Sequence, residues 1–99
     1  MKYFDEIKKS MDWLNTKSDT LFLGQAVEYD GTAMTRTLRD VDDSKKLEMP
    51  VNEEMQTGIT LGMALNGTVP ISIYPRWNFL LLGANQLVNH IDKVKIYLK

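Results

Sequence analysis

The sequence predicts an α/β fold with a short, mostly parallel sheet flanked by helices. Two stretches carry apolar residues at the three- and four-residue spacing of a helix face, and short apolar runs alternate with helical segments along the chain. Glycine, proline, asparagine and aspartate mark the breaks between these segments. Because helices alternate with strands, the strands are expected to run parallel. The chain has 99 residues and no internal repeat, so we expect one domain.

The first half of the chain predicts one helix, one buried strand and a connection. The helix covers Tyr3–Asn15, where apolar residues recur on one face. The run Thr20–Leu23 predicts a buried strand that ends at Gly24. Residues 32–46 carry many charges with little periodicity. They predict an exposed connection with one helical turn around Thr35–Leu38.

A second helix is predicted over Glu53–Leu65. Asn52 is a suitable N-cap, and Asn66-Gly67 is typical of a left-handed helix ending. Gly58 and Gly62 leave one face of this helix nearly without side chains. Glycine costs up to about 1 kcal/mol per helix position relative to alanine, so we expect another backbone to approach this face closely.

Three further elements complete the prediction. Short strands are expected at Leu47–Met49 and Val69–Tyr74, and a long amphipathic helix is expected from about Phe79 to Leu98. A sheet of so few strands would expose strand edges and apolar helix faces. That favours self-association, so a homo-oligomer, most simply a dimer, is expected.

The composition excludes several classes of function. Twelve basic residues against thirteen acidic ones give a net charge of −1 with no long basic run, which argues against a nucleic-acid partner. No segment has the ~18–20 consecutive apolar residues that a membrane span requires, so no membrane partner is expected. The chain has no cysteine, which excludes disulfides and fits a cytoplasmic location.

An ordered set of residues from Pro50 onward resembles the beta subunits of thiamine-diphosphate-dependent 2-oxo acid dehydrogenases of the pyruvate type. Those subunits carry the transketolase-type pyrimidine-binding domain. The residues that carry the resemblance are Pro50, Val51, Asn52, Glu53, Glu54, Gly58, Gly62, Met63, Ala64, Gly67, Pro70, Tyr74, Phe79, Gln86, Asn89 and His90. The strand ending at Gly24 and the turn at Tyr29-Asp30-Gly31 also fit. The resemblance implies that residues 1–99 form a single, incomplete domain of this type, with a partial thiamine-diphosphate-binding fold.

The resemblance also implies a site. Glu53 matches the catalytic, cofactor-binding glutamate that bonds a ring nitrogen of the thiamine aminopyrimidine, and Phe79 matches the aromatic residue that stacks on that ring. The implied cofactors are thiamine diphosphate and magnesium. Taken without the resemblance, a glutamate in a first helical turn usually only complements the helix dipole. An aromatic residue at a strand-to-helix junction usually belongs to the core, and Tyr74 or Trp77 could share either role.

Departures from the family pattern keep two functions open. Gln25 and Asn85 stand where the family commonly has a glutamate and an aspartate, and His90, the only histidine, is expected to be a surface or packing residue. The chain lacks the diphosphate-binding motif, Gly-Asp-Gly followed by Asn-Asn. It is therefore expected to be the pyrimidine-binding portion of an enzyme, inactive alone and completed by a diphosphate-binding partner subunit. The alternative is a non-catalytic dimerisation or partner-binding module derived from that domain. A fragment of a longer protein is the third possibility.

Overall fold

The computed structural model describes residues 2–98, which form three parallel strands and a series of helices. Each strand is followed by helical structure, in line with the alternation in the sequence. The elements are α1 (Tyr3–Asn15), β1 (Thr20–Gly24), α2 (Ala33–Thr37), β2 (Lys46–Glu48), α3 (Glu53–Leu65), β3 (Val69–Ile73), α4 (Trp77–Leu80), α5 (Ala84–Gln86) and α6 (Val94–Tyr97). Short 3-10 turns at Asp43–Lys45 and Leu81–Gly83 and a π turn at Leu87–Ile91 complete the chain.

The sheet has the strand order β2-β1-β3, with β1 in the centre. Both neighbours run parallel to β1, and Phe22 is paired with Lys46 of β2 and with Ile71 of β3. The chain passes from β1 to one edge of the sheet and then crosses to the other edge. The predicted α/β class with a short parallel sheet flanked by helices is confirmed.

The core lies between the sheet and the helices of the first half of the chain. Phe22, Val27, Leu38, Val41 and Ile73 are buried together. The prediction that residues 32–46 form an exposed connection is therefore wrong in part, because Leu38 is fully buried and Val41 is 3% exposed. The helical turn expected there is present as α2. Because the segment is rich in charged residues, its sequence did not indicate that tertiary contacts bury Leu38 and Val41.

Helix α3 begins and ends where the sequence predicts. The Asn52 side chain accepts the Met55 N–H at 3.0 Å, and this bond satisfies one of the free donors of the first turn. At the other end, Asn66 is the C-cap and Gly67 has φ +92°, the left-handed ending that glycine favours. These local signals fix the position of Glu53, the first residue of the helix.

The last part of the chain is helical but broken, and so differs from the single long helix predicted. Helical turns begin at Trp77 and continue to Tyr97, with irregular backbone at Gly83 and Lys93. Within residues 2–98, no helix has the length and hydropathy of a membrane span.

Candidate functional site

The candidate site lies at the carboxyl edge of the sheet, beside the point where the strand order reverses. Gln25 directly follows β1, Tyr74 directly follows β3, and Glu53 begins α3 shortly after β2. In open parallel sheets, ligands bind outside the carboxyl ends of the strands at such a reversal. The topology therefore brings together segments that are up to 50 residues apart in sequence.

Gly24 allows the ends of β1 and β3 to approach closely. Its φ is +152°, and a Cβ atom built there would lie 2.2 Å from the Ile73 carbonyl oxygen. No other residue fits without displacing the backbone of β3, since only glycine lacks a Cβ. This contact sets the position of Gln25, the next residue.

Glu53 is buried, with 4% of its surface exposed. Its Oε1 accepts a hydrogen bond of 3.0 Å from the Gln25 side-chain amide. Among residues 2–98, no other side chain or backbone group bonds this carboxylate, so Oε2 has no protein partner within that part of the chain. Burying a carboxylate costs free energy unless donors satisfy it. The arrangement therefore leaves one acceptor oxygen available to a ligand or to water.

Glu48 orders the loop that follows β1 and carries Gln25. The Glu48 carboxylate accepts the backbone N–H groups of Ala26, Val27 and Glu28 at 2.9, 2.9 and 3.0 Å. Ala26 has a positive φ of 57°, which turns the three N–H groups towards one point. The end of β2 thus orders the loop after β1, and with it the residue that contacts Glu53.

A buried cluster holds the α3 backbone at Glu53 against the last part of the chain. The Thr57 hydroxyl donates to the Glu53 carbonyl oxygen at 2.8 Å and is also hydrogen-bonded to the Tyr74 hydroxyl. A Cβ atom at Gly83 would lie 2.5 Å from the Thr57 Oγ1 and 3.2 Å from the Glu53 carbonyl oxygen. The close backbone approach expected at Gly58 and Gly62 therefore occurs at Gly83.

Gly58 and Gly62, the two glycines of α3, are packed less closely than Gly83. Gly58 faces the Gln86 side chain at 3.8 Å, an ordinary contact distance, and nothing lies within 4 Å of a Cβ built at Gly62. The expectation that a backbone packs against this face is not met within residues 2–98.

Phe79 lies one helical turn before Gly83 and is half-buried. The Arg76 guanidinium carbon is 5.8 Å from the centre of its ring, within cation–π range. Nearby, Tyr74, Arg76, Trp77 and Leu80 line one side of a mostly apolar cavity of about 310 Å³. Trp77 is 82% exposed. A stacking role for Phe79 and a catalytic role for Glu53 stay predictions.

A polar cluster lies on the outer side of α3. The Glu54 carboxylate accepts hydrogen bonds from Asn85 at 2.6 Å and from Gln86 at 3.0 Å. The Gln86 side-chain oxygen Oε1 lies 2.8 Å from Nδ1 of His90, and the Asn89 side-chain amide donates to the Asn85 side-chain oxygen at 2.7 Å. His90 is exposed, as expected for a surface position. Gln86 and Asn85 thus tie α5 to the first turn of α3.

The contacts of two amide side chains beside the site, Gln25 and Gln56, were not predicted. Gln25 is partly buried, and its bond to Glu53 depends on the fold. Gln56 is fully buried, and its amide donates to the Ser72 hydroxyl at 2.9 Å and to the Ile73 carbonyl oxygen at 3.0 Å. Its Oε1 is buried without a hydrogen-bond partner. The spacing of Gln56 three residues after Glu53, on one helix face, was the available signal.

Metal ligands are not clustered in the described part of the chain. Between residues 2 and 98, no three histidine, aspartate or glutamate side chains are grouped so that they could hold a metal ion. Glu48, Glu53 and Glu54 are near in sequence but have separate partners.

The chain is similar to a known enzyme subunit but matches no family model. No model of a protein family matches the chain. Over 93 residues, the chain is 28% identical to a protein named pyruvate dehydrogenase E1 component subunit beta, mitochondrial, from Drosophila melanogaster. The matched region is 90% of this chain and 26% of the relative. The chain thus spans about a quarter of the length of that protein.

Proposed function

We propose that the chain is the pyrimidine-binding portion of a thiamine-diphosphate-dependent enzyme of the 2-oxo acid dehydrogenase beta-subunit type. It forms a single, incomplete domain and is inactive alone. The observation that carries the proposal is the buried Glu53 carboxylate, which has one oxygen held by Gln25 and the other without a protein partner among residues 2–98. The similarity to a pyruvate dehydrogenase E1 beta subunit supports it.

The residues at the site fit the cofactor. When bound, thiamine diphosphate supplies a carbanion that attacks a carbonyl group, and it acts as the electron sink. The free oxygen of Glu53 would share a proton with a ring nitrogen of the aminopyrimidine, and Gln25 would hold the carboxyl group in place. Phe79 would stack against the pyrimidine ring. Magnesium would be held by the diphosphate-binding partner, since residues 2–98 offer no metal cluster.

The proposal requires a partner, either a diphosphate-binding subunit or a second copy of the chain. Exposed apolar side chains on the last part of the chain support association. Trp77, Leu81 and Leu82 are 82%, 68% and 63% exposed, and such groups of large apolar side chains often mark contact surfaces. A cytoplasmic location stays a prediction, and the relative is mitochondrial by name.

The test is calorimetric titration of the full chain with thiamine diphosphate and magnesium, alone and with a diphosphate-binding subunit, with light scattering for mass. We expect binding that Glu53→Gln removes. Glu54→Gln is the matched control, because Glu54 is the next residue and bonds Asn85 and Gln86 instead. Equal binding by both variants would refute the role of Glu53.

A non-catalytic dimerisation or partner-binding module is the second candidate. The observation that favours it is Gln25, whose amide cannot pass a proton as a carboxyl group can. A stable dimer that binds no cofactor with or without the partner subunit would support this module and exclude the first proposal.

A further inference from the structure

We propose that Gln25 is a positioning residue that holds Oε1 of the Glu53 carboxyl group, restricts its rotation and so leaves Oε2 directed to a ligand. The inference rests on the proposed function for its purpose, but the contact itself can be tested without any cofactor. The two residues are 28 positions apart, and they meet because β1 ends beside the start of α3.

The direction of the hydrogen bond carries the inference. Gln25 donates from Nε2 to Oε1 of Glu53 at 3.0 Å. A donor to a carboxylate favours its ionised form, whereas a second carboxyl group at this distance would force the pair to share a proton. The amide therefore leaves Glu53 as the one ionisable member of the pair. Because Oε1 is engaged, Oε2 is the oxygen left for a ligand donor.

The support behind Gln25 is rigid. Gly24 packs against the Ile73 carbonyl on one side, and the N–H groups of residues 26–28 are held by Glu48 on the other. A side chain that projects from a backbone fixed at both ends loses little further freedom when it forms its hydrogen bond. This is the structure expected of a residue that orients another.

The other ionisable groups around Glu53 have partners of their own. Glu48 is bound by the backbone N–H groups of the loop, Glu54 by Asn85 and Gln86, and the Tyr74 hydroxyl by Thr57. Arg76 lies over the Phe79 ring. Any pH effect that depends on residue 25 can therefore be attributed to its contact with Glu53.

The test compares Gln25→Glu with Asn85→Asp in the full chain without cofactor. The Asn85 amide donates to the Glu54 carboxylate at 2.6 Å, but Asn85 is exposed and Glu54 is only partly buried. Urea unfolding is followed by circular dichroism at about pH 5 and about pH 8. In Gln25→Glu, the folded pair of carboxyl groups retains a proton that the unfolded chain releases. Stability must then fall as pH rises from the unfolded carboxyl pKa towards the higher pKa of the folded pair, with a limiting slope of about tenfold in the folding constant per pH unit. Asn85→Asp should show a much smaller dependence, because water screens its pair with Glu54.

A second measurement covers the case in which Gln25→Glu does not fold. Gln25→Met removes the donor at similar volume, Glu53→Met removes the acceptor, and the double-mutant cycle at about pH 7 isolates the coupling of the two side chains. We expect a coupling of about tenfold or more in the folding constant, since a hydrogen bond to a charged group is lost. Equal pH profiles for Gln25→Glu and Asn85→Asp, or zero coupling in the cycle, would overturn the inference. Absence of thiamine diphosphate binding by the unaltered chain, both alone and with a diphosphate-binding subunit, would instead refute the proposed function and leave the Gln25–Glu53 contact standing.

Discussion

Two glycine-to-alanine substitutions are expected to change stability in opposite directions. In Gly83→Ala, the new methyl group would meet the Thr57 Oγ1 at 2.5 Å and the Glu53 carbonyl oxygen at 3.2 Å. Thr57 cannot move aside freely, because it is 2% exposed and its hydroxyl is hydrogen-bonded to Glu53 and Tyr74. In Gly62→Ala, the methyl group would enter open space.

The magnitudes follow from these surroundings. Overpacking of a buried position costs about 1–3 kcal/mol, and loss of one Thr57 hydrogen bond adds about 1 kcal/mol. The reduced flexibility of the unfolded chain offsets about 0.4–1 kcal/mol of this cost. Gly83→Ala should therefore lower the free energy of unfolding by about 1–3.5 kcal/mol. Gly62→Ala, in the interior of α3, should raise it by about 0.5–1 kcal/mol.

Urea unfolding followed by circular dichroism measures both changes. A Gly83→Ala variant as stable as the unaltered chain would refute the close approach of the last segment to α3. A destabilised Gly62→Ala variant would show that the open face of α3 is covered in solution, as a dimer would cover it.

Three further substitutions test other parts of the fold. Gly24→Ala should lower the free energy of unfolding in urea by about 1–3 kcal/mol more than Gly67→Ala does. Both glycines have a positive φ, but only at Gly24 would the new Cβ meet backbone, the Ile73 carbonyl oxygen at 2.2 Å. Equal costs would contradict the contact. Asn52→Ala should destabilise by about 1 kcal/mol through loss of the α3 cap, and an unchanged urea midpoint would count against it. Asp40→Asn should be less stable than the unaltered chain at neutral pH, with a difference that disappears in acid.

The pH dependence of the Asp40→Asn effect follows from its ion pair with α1. Hydrogen bonding to the Lys8 ammonium holds the pKa of Asp40 below its usual 3.8, and Asp40 and then Asp12 raise the pKa of Lys8. A lowered carboxyl pKa stabilises the fold above the unfolded value, and this contribution is lost as pH falls through the folded value. The difference in urea midpoint should therefore narrow only below about pH 4. If the difference in urea midpoint stayed constant down to about pH 2, the Asp40–Lys8 pairing would be contradicted. The control is Asp43→Asn, because Asp43 is exposed and makes a longer contact of 3.4 Å with Lys46.

Local signals in the sequence predicted most elements closely. The bounds of α1 and α3 match the predictions, because helical periodicity, the Asn52 cap and the Asn66-Gly67 ending all act within one or two turns. The parallel arrangement of the strands was also predicted, because strands connected through helices are usually joined by crossovers that keep them parallel. The last segment was mispredicted as one helix because its apolar spacing continues through the breaks at Gly83 and Lys93.

The sequence by itself determined the fold class, the order of the elements and the placement of Glu53 at the start of α3. The tertiary structure alone decided that Gln25 meets Glu53, that the close backbone approach falls at Gly83, and that Leu38 and Val41 are buried. The physical reason is distance along the chain. Caps and periodicity depend on neighbours within a few residues, whereas these contacts join segments whose separation in space is set by the packing of the whole sheet and its helices.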